Sequence, residues 1–127
     1  MKATDLRIGN LYEYFILDRN DERKEWWEVS VCDAQDLVYL EKNPDDKDYR
    51  PIPLTQEWLM IFEFKKEGNN FVKNNLGIGI SKYSVSIVVI DIIDGSIIPI
   101  YTEIKYVHQL QNLYFALTGS ELTLKQP

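Results

Sequence analysis

The residues around Asp94-Gly95 constrain this chain most. Residues 85–93 read Val-Ser-Ile-Val-Val-Ile-Asp-Ile-Ile, and residues 97–101 read Ile-Ile-Pro-Ile-Tyr. β-Branched runs on both sides of an Asp-Gly pair predict an antiparallel hairpin, with the glycine taking the positive φ of a two-residue turn. Pro99 has no N–H to give to a ladder, so its strand is expected at a sheet edge or a bulge. The chain therefore contains an antiparallel sheet, and the other segments decide what is packed on it.

A helix is predicted over 105–118. At about 100° per residue, Tyr106, Val107, Leu110, Leu113, Tyr114 and Leu117 fall on one stripe, and Gly119 supplies a left-handed stop. Thr102 is the only nearby N-cap candidate. The other side carries His108, Gln111, Asn112 and Phe115 at i, i+3, i+4 and i+7, a mix of amide, imidazole and aromatic groups suited to protein recognition. Phe115 is either covered by the amino-terminal strands or shown to a partner. Leu122 is expected to tuck back under the helix end.

Toward the amino terminus, a Gly9-Asn10 turn precedes an aromatic-rich strand, Leu11–Leu17. The charged stretch 18–25 reads as a loop, and 26–32 as a second strand. Its alternation assigns Trp27, Val29 and Val31 to the core and leaves Trp26 half-exposed as a candidate binding residue. Residues 33–36 then turn into a third strand over 37–40, which completes an antiparallel meander over 7–41, SH3-like in part. The polar stretch 42–50 is the best linker candidate, but no domain boundary is placed there, because the meander alone is too small for a stable core.

Thr55 is an N-cap candidate for a short helix over 55–63, where Trp58, Leu59, Met60, Ile61 and Phe62 predict burial on every side, with a strand as the alternative. Strands follow over 64–103, with turns at 67–70 and 74–75. In one of them Leu76, Ile78 and Ile80 alternate with Gly77, Gly79 and Ser81, leaving a bare face that a neighbouring strand or helix is expected to approach closely. The resulting expectation is a single α+β domain over 1–127: an amino-terminal antiparallel meander, then a second antiparallel sheet region with two helices.

Charge narrows the function classes. The net charge is −6. Residues 1–48 hold 13 acids and 7 bases and account for all of it, while the remainder is balanced. An acidic half repels phosphate backbones, so direct nucleic-acid binding is disfavoured and any charge-driven partner is expected to be basic. No apolar run approaches the roughly 18 residues needed to span a bilayer, so no membrane association is expected and the location read from sequence is cytoplasmic. The single cysteine, Cys32, reads as a buried structural thiol. With one histidine, one cysteine and no ligand spacing, the sequence offers no catalytic residue, no metal site and no cofactor.

Three stretches together resemble a known family: Arg7-Ile8-Gly9-Asn10-Leu11, Pro51-Ile52-Pro53-Leu54-Thr55 with Trp58-Leu59, and the run from Ile104 to Gly119 with its Tyr106-Val107-His108-Gln109-Leu110-Gln111-Asn112-Leu113-Tyr114-Phe115-Ala116-Leu117-Thr118-Gly119 motif. They are similar to a family of small uncharacterised proteins of gut Bacteroides-type bacteria and their phages and mobile elements. The resemblance implies an intracellular accessory protein and transfers no catalytic residue. The expected function is non-enzymatic protein interaction; the alternatives are a small hydrolase and an acidic inhibitor of a nucleic-acid-binding protein.

Overall fold

A computed structural model describes residues 1–17, 24–81, 85–90, 93–100 and 102–124. The protein is α+β, with two antiparallel sheets, of three and five strands. It divides into two compact units, Met1–Pro53 with Tyr106–Leu113 and Leu54–Lys105 with Tyr114–Pro127. The carboxyl-terminal helix contributes residues to both.

In the first unit, β1 (Leu11–Leu17) pairs antiparallel with β2 (Glu25–Val31) along its whole length. The expected third strand is instead a helix, α1 (Ala34–Lys42). Asp33 and Asp36 form a capping box: the Asp33 carboxylate accepts from Asp36 N at 2.8 Å and Asp36 accepts from Asp33 N at 3.0 Å. Two acids at that spacing are a helix start, and they override the strand propensity of the Leu37-Val38-Tyr39-Leu40 run. The third strand of this sheet is β3 (Tyr49–Arg50), on the other side of β1, giving the order β2-β1-β3. The antiparallel sheet stands, but the partial SH3-like comparison rested on a strand following β2 directly and goes with it.

The helix also changes which face of the sheet is core. Tyr12, Cys32, Leu6 and Leu40 form a buried cluster, joined by Leu37 and Tyr49. This is the Cys32 face, opposite to the one that alternation assigned. On the other face Trp27 is only half-buried, and Val29 and Val31 are 42% and 55% exposed. The sequence pattern is the same for either face being covered; α1 decides.

In the second unit, Thr55 caps α2 (Gln56–Ile61), its hydroxyl accepting from Trp58 N at 3.4 Å. Leu59 and Phe62 are buried, whereas Met60 and Ile61 are exposed, so this segment lies on a core with one side and is not enclosed as expected. Five strands follow in meander order: β4 (Lys65–Glu67), β5 (Asn70–Lys73), β6 (Leu76–Ile80), β7 (Val85–Ile90) and β8 (Ile97–Ile100). Gly68 and Asn74 take positive φ at the first two turns. The β7–β8 hairpin is present, with Ile87↔Ile100 to Ile90↔Ile97 paired and Gly95 at a φ of 74° in the connection, of which residues 91 and 92 lie outside the described residues. Pro99 lies on edge strand β8, as expected. The bare face of β6 is filled by its neighbour: a Cβ on Gly77 would lie 2.9 Å from Val88 Cγ2, and one on Gly79 2.7 Å from Ser86 Oγ.

Helix α3 (Val107–Thr118) starts two residues later than predicted and stops at Gly119, whose φ is 73° and whose N–H reaches Phe115 O at 2.8 Å. Its start is fixed not by Thr102 but by Gln109, whose side chain accepts from Tyr106 N at 3.1 Å. Val107, Leu110 and Tyr114 are buried, as is Leu122 beyond the helix end. The charged loop expected over 18–25 lies outside the described residues except for its last two, and Glu25 already belongs to β2.

Candidate functional site

The helix face His108, Gln111, Asn112 and Phe115 is not a continuous surface. Gln111 is fully buried and clamps the turn before β1: its Oε1 accepts from Leu11 N at 2.8 Å and its Nε2 donates to Gly9 O at 3.2 Å. Asn112 continues the clamp, its Oδ1 accepting from Arg7 Nε at 3.1 Å and Asn10 Nδ2 at 2.9 Å. The turn closes on itself as Arg7 N donates to Asn10 Oδ1 at 2.6 Å. These amides satisfy backbone groups that burial would otherwise leave unpaired. Two stretches from opposite ends of the chain thus meet as a structural joint.

His108 is 4% exposed and stacks on Tyr106, with ring centroids 5.8 Å apart and planes at 9°. Its Nδ1 is buried without a hydrogen-bond partner among the described residues. Burial lowers its pKa, opposed by the nearby charge of Asp5, so the ring is neutral at pH 7. Phe115, by contrast, is 41% exposed and is counted with the second unit. Cys32 is buried, and burial first, then the charges of Asp36 and Asp33, push its thiol up to about 11. It is therefore held as a thiol, the opposite of an activated nucleophile.

Trp26, the remaining sequence candidate, leads to a different surface. It is 39% exposed on β2, with its indole N–H donating to Glu28 Oε1 at 3.0 Å. β2 is the outermost strand of its sheet. Its hydrogen-bonding direction follows from the register. Cys32 N donates to Asn10 O at 2.7 Å, so Ser30, Glu28 and Trp26, at alternate positions from Cys32, exchange bonds with β1. The residues between them, Glu25, Trp27, Val29 and Val31, point their N–H and C=O groups away from the sheet. On β1 the same alternation sends Phe15 N to Asp48 O at 2.8 Å, on the β3 side, which fixes the phase independently.

The two faces flanking this edge differ in chemistry. One carries Leu17, Val29 and Val31, all exposed, beside half-buried Phe15 and Trp27, which meet edge-on at 5.4 Å. Arg50 lies 3.7 Å over the Trp27 ring and bridges to Glu13 at 3.3 Å. The other face carries Trp26, Glu28 and Tyr14, and Tyr14 continues into an aromatic layer through Tyr49, which also meets Tyr12 and Tyr39. Acids border that layer: Tyr39 donates to Asp46, which pushes the phenol up to about 12 and lowers the Asp46 pKa.

Among the described residues, the surface is thus an open strand edge with an apolar face and an acidic, aromatic face. Sequence reasoning found Trp26 but not the edge, because strand order is not written in the local pattern. Comparison with protein-family models, with curated proteins and with solved structures finds no match to this chain. No helix among the described residues is long and apolar enough to cross a membrane.

Proposed function

We propose that this chain is a non-catalytic protein-binding module whose contact surface is the outer edge of β2. One observation carries the reading: a seven-residue strand whose outward N–H and C=O groups have no hydrogen-bond partner among the described residues, flanked by exposed Leu17, Val29 and Val31. Unpaired edges of this length invite strand addition, in which main-chain bonds give affinity and alternate side chains give specificity. The family resemblance of the two chain ends fits such a module, since it implies an intracellular accessory protein of bacteria and their mobile elements.

A strand-forming peptide of about eight alternating valines and threonines tests the reading. Titrated into isotope-labelled protein, it should shift the amide signals of Trp27, Val29 and Val31 in the wild type and leave the Val29→Pro variant unchanged. Shifts confined to the second unit, or none at all, contradict it.

A further inference from the structure

We infer that the occupant of the β2 edge is an extended segment of another protein that alternates basic and apolar side chains. This rests on the strand-addition reading above and adds the partner's chemistry.

A strand added to β2 presents its side chains alternately to the two faces. Those on one face meet Trp27, Val29 and Val31, an exposed or half-buried apolar row. Those on the other meet Trp26 and Glu28, with Tyr14 opposite Glu28 on β1. A carboxylate beside an exposed indole recognises a cation twice over, by charge and through the ring face. Glu25, at the end of the same strand but on the Trp27 and Val29 side, is also exposed and adds only to the overall field. The surrounding field has the same sign, because residues 1–48 carry the whole net charge of −6. That field raises the encounter rate of a basic segment and lowers that of an acidic one.

A second copy of this chain fits poorly. The antiparallel self-pairing that uses all seven residues of β2 centres on Glu28, setting the two Glu28 carboxylates directly opposite each other. Like charges at directly opposed positions destabilise a sheet pair. It also sets Trp26 opposite Ser30, bringing no cation to either glutamate.

Three peptides of about eight residues separate the possibilities: alternating lysine and valine, threonine and valine, and glutamate and valine. Each is titrated into the intact protein, followed by tryptophan fluorescence and by the amide signals of β2. The lysine peptide should bind at least about tenfold more tightly than the threonine peptide, and the glutamate peptide more weakly still. Its advantage should shrink as salt is raised from about 50 mM to about 500 mM, because exposed charges are screened. Glu28→Gln should reduce the preference for lysine while leaving threonine-peptide binding in place, and Val29→Pro should abolish both.

Equal binding of the lysine and threonine peptides overturns the basic partner but leaves strand addition standing. Binding of none overturns both. A dimer of the free protein that Val29→Pro dissolves also overturns the inference, by giving the edge to a second copy.

Discussion

The two sheets of this protein treat their edges in opposite ways. In the five-stranded sheet one edge, β4, is three residues long and wholly charged or polar, Lys65-Lys66-Glu67, and the other, β8, carries Pro99. Short length, lysine and proline are the usual means of keeping a free edge from pairing with another chain. In the three-stranded sheet the outer strand β2 has none of these: it runs seven residues with no proline, and exposed valines alternate along it. Among the described residues, the five-stranded sheet carries such devices at both edges and β2 carries none, which makes the edge of β2 a feature to be explained by function.

Proline substitution tests the contrast with the largest effect. Val89 sits in β7, paired with Leu76 on one side and Ile98 on the other, so Val89→Pro should cost about 3 kcal/mol or more through a lost ladder bond and steric clash. Val29→Pro, where the N–H points outward, should cost no more than about 1 kcal/mol. Chemical denaturation of the two variants gives the comparison directly; equal losses would mean that β2 is paired on both sides.

Next in size is the clamp that seats β1. Gln111→Leu should destabilise by about 2–4 kcal/mol, because it leaves Leu11 N–H buried and unpaired and removes the partner of the part-buried Gly9 C=O. A loss below about 1 kcal/mol in a denaturant titration would mean that water reaches the turn.

The tryptophans come next. Trp27→Ala should cost about 2 kcal/mol, below the value for a fully buried ring, and Trp26→Ala under about 1 kcal/mol. Reversal of that order would put the apolar face on the wrong side of β2.

The smallest effect is on pH dependence. Burial lowers the His108 pKa, so the unfolded chain binds the proton more readily than the folded one. The stabilisation from keeping the ring neutral is full above the unfolded value of about 6.5 and is lost as pH falls below it toward the depressed folded value. Melting temperature should therefore fall as pH drops below about 6.5 in the wild type, and less steeply in His108→Gln. Parallel curves would mean that the acid sensitivity comes from carboxylates.

Local patterns made much of this fold legible. The boundaries of β1, the Thr55 cap, the turns at Gly68 and Asn74, the edge position of Pro99, the Gly119 stop and the burial of Leu122 all follow from residue types acting over a few positions. What sequence missed depends on longer range. Leu37-Val38-Tyr39-Leu40 has strand-forming residues, and only the Asp33/Asp36 spacing marks the helix; once that helix is placed, it turns the Cys32 face inward and the Val29 face outward. The helix face of His108, Gln111 and Asn112 carries polar groups that a helical wheel assigns to solvent, yet Gln111 and Asn112 are consumed by the turn before β1 and His108 is buried against Tyr106. The signal was present as amides at both ends of the chain, but nothing local pairs them.

Amide hydrogen exchange along β2 in the free protein tests the open edge most directly. Trp26, Glu28 and Ser30, whose N–H groups face β1, should be protected, while Trp27, Val29 and Val31 exchange rapidly, giving an alternating pattern over six consecutive residues. Uniform protection along the strand would contradict the account, because the edge would then already be occupied.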